Sequence, residues 1–276
     1  MAEIYDLEEY LAVYEQRAVL FLDILGFSDL VKNGRVHRLL GALEHLQGRA
    51  LEVREEGHFD FTAFSDCVVV STPLSDIKAA LRLVTYAKFL ALDLLAKGFL
   101  TRGAIVSGEL YHKGAIVLGP ALVEAYQLES KKALYPRILV SNDIIRAIYA
   151  AASGATLGES FAFLHPIFRE DFDGAQHIDI FENGPHLPEM YWGQPSEDGK
   201  IDRDAFRDSL LIFMDRIFAT PPPPVAAEKY AWLARYFFEK CETQRWPLPN
   251  NLPVSQFKRL LYERELASDK AADRQE

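Results

Sequence analysis

Two short apolar runs each meet an aspartate. Residues 18–24 read AVLFLDI and end almost on Asp23, and the stretch FTAFSDCVVVS carries Asp66 between two apolar halves. Runs this short, rich in Val, Leu and Phe, read as buried strands rather than free-standing helices. Packing alone does not ask for a carboxylate at the end of such a strand. If the two strands are neighbours and both side chains point to one side of the layer, the carboxylates converge. A converging pair suits a hard divalent cation, Mg²⁺ or Mn²⁺, held against a triphosphate. Two such ions about 3.5–4 Å apart stabilise attacking and leaving oxygens together.

The surrounding pattern gives these runs a place. Residues 5–16 read as a short helix leading into the first strand, Gly26 breaks that strand, and Leu39, Leu40, Leu43, Leu46 and Leu51 recur at helical spacing up to Gly57. A hairpin at 59–64 and 67–72 follows, with Asp66 near its bend. Next come a long amphipathic helix over 74–97 closed by Gly98, and strands at 100–107 and 114–118 joined by SGELYHKG. Gly119-Pro120 opens a helix over 120–131, and a strand at 137–141 and a helix at 143–152 complete the series. The order β-α-β-β-α-β is that of an α+β, ferredoxin-like layer, one sheet with helices on one face and the other face open to a partner. Beyond residue 153 the texture changes to a strand pair at 162–169 and 176–181, an irregular stretch at 183–201, and helices near 202–218, 225–243 and 253–265. Pro221 to Pro224 form a stiff break between two of these helices. The chain thus divides into a domain over 1–152 and a mostly helical extension over 153–276 packed on it. Within that extension KYAWLARYFFEKC reads as a packing helix.

Charge narrows the partners. A net charge of −10, with no Lys/Arg run, opposes binding to a nucleic-acid backbone. A nucleotide remains possible, because bound metal supplies positive charge locally. Cys67 and Cys241 lack any metal-ligand spacing and imply neither a disulfide framework nor a zinc site. The acidic, amphipathic start MAEIYDLEEYLAVYEQ and the lack of an 18-residue apolar stretch point to a cytoplasmic protein that is neither exported nor membrane-spanning.

Four landmarks come in a fixed order: Asp23-Ile24-Leu25-Gly26-Phe27-Ser28, Ser65-Asp66, Arg102 to Gly108, and Gly119 to Glu129. Over about residues 17–141 this arrangement resembles the class III nucleotidyl cyclases. The resemblance implies that Asp23 and Asp66 hold two divalent ions, Mn²⁺ or Mg²⁺, with the carbonyl of Ile24 completing a metal shell. It further implies that the amides of Leu25, Gly26, Phe27 and Ser28 cradle a triphosphate, as free N–H groups at a helix start do. Arg102 is the candidate donor to the phosphates; an arginine at a strand start serves equally well as the partner of a carboxylate. Lys131, Lys132 and Arg137 are further cations within possible reach of phosphate.

The departures from the family pattern are specific. The two positions that read adenine in ATP-using members hold Thr62 and Ile116, and the helix positions of the transition-state Asn and Arg hold Val123 and Gln127. Both metal aspartates kept, the adenine pair replaced and a C-terminal extension added is a combination similar to the pyrimidine cyclases of the bacterial anti-phage system called Pycsar. That likeness implies a UTP or CTP substrate, a cyclic UMP or cyclic CMP product, a homodimer with two sites, and a separate effector protein activated by the cyclic nucleotide. Thr62 and Phe64, with His58 near them, are candidates for the base pocket. A catalytically lapsed nucleotide-binding module, a purine cyclase with an altered pocket and a polymerase-like palm are the rival readings; the acidic composition disfavours the last.

Overall fold

A computed structural model describes residues 14–32, 37, 40, 41, 44, 59–75, 77–152, 167–182 and 203–254. The chain divides into two compact units, Met1–Leu187 and Pro188–Glu276. In the first, β1 (Glu15–Ile24) leads into a short helix α1 (Phe27–Lys32), and the hairpin β2 (Asp60–Phe64) and β3 (Cys67–Pro73) precedes the long helix α2 (Ile77–Ala96). Then follow β4 (Thr101–Lys113), β5 (Ile116–Leu118), α3 (Pro120–Lys132), β6 (Ile138–Val140), α4 (Asn142–Ala152), β7 (Phe168–Glu170) and β8 (Gln176–Ile178). The sheet order is β2-β3-β1-β4-β6-β8-β7, with β5 paired to β4 alone. Its first four strands are antiparallel and in the order of a ferredoxin-like layer, so the α+β architecture is as the element series predicts.

The centre of the layer is β1. Ala18, Val19 and Leu20 are each 0% exposed, so both of its faces are covered. Val19 and Phe21 join Val69, Val106 and Leu110 under Ala121 and Ala125 of α3. Because strand side chains alternate, Ala18, Leu20, Leu22 and Ile24 point to the opposite face. The expectation of helices on one face only is therefore corrected: α3 lies across the second face, seated on β4 and β1.

How α3 gets so close explains a second correction. SGELYHKG reads as a loop, yet Ser107 to Lys113 continue β4. Gly108 is there for close approach rather than for a turn, since a Cβ on it would lie 3.2 Å from the Ala121 Cβ. At the start of α3, Gly119 has φ 146°, and a Cβ there would meet the Glu109 carbonyl oxygen at 2.6 Å.

The strand pair β7–β8, which the sequence reading gives to the extension, hydrogen-bonds to β6 and so continues this sheet. In the second unit, α5 (Arg203–Phe218) and α6 (Ala227–Gln244) flank a 3₁₀ turn at Pro224–Ala226. Phe218 and Tyr230 meet edge to face at 6.3 Å. Trp232, Leu233, Tyr236, Phe237 and Cys241 are buried, which is the packing role their spacing suggests. The expected helices at 5–16 and 253–265 lie largely outside the described residues.

Gly119→Ala combines a left-handed φ with a backbone clash, so it should cost about 2 kcal/mol or more of unfolding free energy. A urea denaturation series on the purified variant reads this directly as a lower midpoint.

Candidate metal centre

Strand register assembles the site. Asp23 sits opposite Cys67 of β3 on one side and opposite Arg102 of β4 on the other. Residues in register across adjacent strands share a face, so these three side chains emerge together on the face that α3 crosses. Asp66 belongs to the two-residue turn between β2 and β3. There Ser65 adopts φ 56°, a left-handed conformation that costs a non-glycine residue energy and bends the hairpin tightly. The amide of Ile24 donates to the Asp66 carbonyl at 3.1 Å, tying this turn to the end of β1.

As expected, the carboxylates converge. Asp23, Asp66 and Cys67 each offer a ligand atom, and all three atoms lie within 4.8 Å of one another. The Cys67 thiol is 3.9 Å from Asp23 Oδ1 and 3.7 Å from Asp66 Oδ1. In the metal-free protein burial, and then the charges of Asp66 and Asp23, push this thiol up to about 12. Two of the three candidate ligand atoms are carboxylate oxygens, and oxygen donors fit Mg²⁺ or Mn²⁺. The Ile24 side chain is buried on the other face.

Arg102 stands beside the pair. Its Nε donates to Asp23 Oδ2 at 3.2 Å and lies 2.5 Å from Glu129 Oε1, with the Glu129 side chain only 3% exposed. Burial raises the Asp23 carboxyl above its usual range, and Arg102 partly offsets this. Burial also raises Glu129, to about 7. Arg102 pulls against that shift, while Asp23 and Asp66 add to it.

Other predicted residues fare differently. The Leu25 amide donates to the Leu100 carbonyl at 2.8 Å, which removes it from the expected cradle. Gly26, at φ 79°, turns the chain into α1, where Phe27 and Ser28 stand at the helix start. Phe64, 71% exposed, is at the hairpin tip on the same face as Cys67. Thr62 shares that face but is committed elsewhere: its hydroxyl donates to the Gly114 carbonyl and accepts from His112 Nε2, both at 2.9 Å. Ser71 and Arg17 extend this chain on the far side of His112, and Arg17 also pairs with Asp60. Arg137 is fully buried against Asp171 and Asp173, so it holds the β7–β8 turn and is removed from the phosphate candidates. Lys131 and Lys132 are exposed at the end of α3, and His58 lies outside the described residues.

Two members of the site are not singled out by the sequence pattern. The spacing of Cys67 speaks only to disulfides and zinc. Glu129 had a legible signal: with Ala121 and Ala125 it makes an i, i+4 stripe, and all three are buried. An acid on the apolar stripe of a helix needs a partner across the interface.

No protein-family model matches the sequence, and comparison with curated proteins finds no match. Among solved structures, the adenylyl cyclase CyaB from P. aeruginosa is similar, with 21% identity over 50% of this chain and 82% of that one and a TM-score of 0.37. The monomeric guanylyl cyclase domain of the RhoGC fusion protein from the aquatic fungus Blastocladiella emersonii gives 18% over 50% and 86%, with 0.38. An adenylate/guanylate cyclase/hydrolase from Silicibacter pomeroyi gives 15% over 60% and 95%, with 0.40. Likeness at this level fixes neither a substrate nor a reaction. No helix among the described residues is long and apolar enough to cross a membrane.

The raised Glu129 gives metal-free protein a pH signature. The folded state keeps a proton that the unfolded chain releases near its ordinary 4.5, so stability is full below that pH and falls as pH rises towards about 7. The loss should reach at most about 3 kcal/mol. Denaturant midpoints measured from pH 4.5 to 8 should show this slope in metal-free wild type, and Glu129→Gln should remove most of it.

Proposed function

We propose that this chain is a nucleotidyl cyclase of class III type, converting a pyrimidine nucleoside triphosphate to its 3′,5′-cyclic monophosphate and pyrophosphate. UTP is the first candidate substrate and CTP the alternative. The observation that carries the reading is the meeting of Asp23 and Asp66 at one end of one sheet face, with Arg102 beside them. Divalent ions bound there would supply the charge that makes a ribose 3′-hydroxyl acidic and neutralises a triphosphate.

The chain's own groups do the rest. Asp23 and Asp66 would hold the ions beside the triphosphate, and the amides of Phe27 and Ser28, at a helix start, are placed to donate to phosphate oxygens. The 3′-hydroxyl gives its proton to water, its oxygen attacks the α-phosphorus as the bond to the β-phosphate oxygen breaks, and pyrophosphate leaves with that electron pair. Arg102 offsets the charge that develops on it. Thr62 and Ile116, where ATP-using members of the resembled family read adenine, carry no charge, which favours a base other than adenine. Val123, Tyr126 and Phe64 are more than half exposed, and apolar groups so placed support a homodimer. On this reading the cyclic product activates a separate effector protein in anti-phage defence.

Val123 and Gln127 turn outward on α3 without the Asn and Arg of the resembled family, and that favours a second reading, a lapsed module that binds nucleotide without turning it over. One assay separates them: purified protein given Mn²⁺ and each of the four common nucleoside triphosphates, with pyrophosphate measured and products identified by chromatography. A cyclase releases pyrophosphate and forms one cyclic nucleotide; a lapsed module releases none. Asp23→Ala and Asp66→Ala should each lower turnover by at least about 10²-fold while the circular dichroism spectrum is unchanged. Retained turnover in either variant defeats the metal mechanism.

A further inference from the structure

We propose that Glu129 is a positioning residue that sets how tightly the Asp23–Asp66 pair binds a divalent cation, by drawing the Arg102 guanidinium off Asp23. This rests on the reading of that pair as a metal site.

One donor stands between two carboxylates: its N–H is given to Asp23, while Glu129 Oε1 is buried without a hydrogen-bond partner among the described residues. Arg102 Nε is 3.2 Å from Asp23 Oδ2 and 2.5 Å from Glu129 Oε1, and the three side chains are 24%, 14% and 3% exposed. Asp23 divides its oxygens: Oδ1 looks towards Cys67 and, beyond it, Asp66, while Oδ2 is held by Arg102. A guanidinium on Asp23 is a direct competitor of a divalent ion, since it occupies one oxygen and adds like charge beside the other. For Asp23 to turn its full charge on an ion, Arg102 has to yield. Expelling it to water would lose a sheltered ion pair, but Glu129 offers a carboxylate already within reach. Glu129 cannot follow the guanidinium outward, because α3 is seated through Ala121 and Ala125 in the core. Binding of the ion and transfer of Arg102 to Glu129 are then one exchange of partners. Without the Glu129 charge, Asp23 is the carboxylate still in ion-pair contact with Arg102, and the guanidinium stays on it.

A plain field effect of one nearby negative charge would also favour a cation, and a double-mutant cycle distinguishes the two. Mn²⁺ binding is measured at pH 8 on the full chain from the free-ion electron paramagnetic resonance signal, for wild type, Glu129→Gln, Arg102→Met and the double variant, with Asp23→Asn as control. Glu129→Gln should weaken binding about tenfold in the wild-type background and less than about twofold in Arg102→Met. Arg102→Met itself should bind at least as tightly as wild type. An equal loss in both backgrounds, or no loss in either, overturns the proposal. Mn²⁺ binding indifferent to Asp23→Asn removes the metal-site reading and this inference with it, whereas Asp23-dependent binding that ignores Glu129→Gln removes the inference alone. Should the variants fail to fold, wild-type protein with ¹⁵N-labelled arginine answers the same question under Mg²⁺ titration. The Arg102 Nε–H resonance should shift yet stay slow to exchange with water. Loss of that protection, or no shift at saturation, overturns the proposal.

Discussion

Asp23 stands in register between Cys67 and Arg102, and the charged cluster at this end of the sheet face is organised by that placement. The register is set far from any charge, by the apolar residues of β1, which are buried on both faces and allow no slip without exposing one row and burying the other. A central strand with two covered faces is the most rigid part of such a layer. A carboxylate at its end is therefore held in place by the core rather than by its own contacts.

Rigidity matters because the local charges oppose one another. Asp23, Asp66 and Glu129 bring three carboxylates to one end of the face, and the guanidinium of Arg102 sits among them. Burial raises Asp23 and Glu129 together, the response of acids that water cannot fully reach and whose countercharge is incomplete. A divalent cation would supply what this arrangement lacks. The site holds its ligands apart from full neutralisation at a cost in stability, and that cost is what added positive charge relieves.

Much of this was legible in the sequence because it follows from short-range pattern. The βαββαβ series and the hairpin bend beside Asp66 come from apolar periodicity and its interruptions, whereas the convergence of the two aspartates depends on the strands being neighbours, which the family resemblance implies. What escaped was the partner each polar group finds. Arg137 looks like a free cation after a helix, yet Asp171 and Asp173 arrive from a strand pair more than thirty residues on and close over it. Thr62 looks like a group free to meet a ligand, but the extension of β4 through His112 to the turn at Gly114 brings it two partners. Gly108 looks like a loop because a glycine before a polar run usually is one. Only the approach of α3 shows why it lies in a strand.

The spacing between α3 and the sheet decides what reaches Arg102. Along a helix, four residues advance about 6 Å and return to nearly the same face, so Ala121, Ala125 and Glu129 form one line over the sheet. Alanines at the first two places and Gly108 beneath bring the helix axis down close, and Gly119 lets its first turn touch the backbone of β4. Larger side chains along that line would lift α3 away and carry Glu129 out of range of the guanidinium. The small residues at the apolar end of the helix thus act at its charged end: they fix the height at which a buried acid meets the arginine that Asp23 also holds.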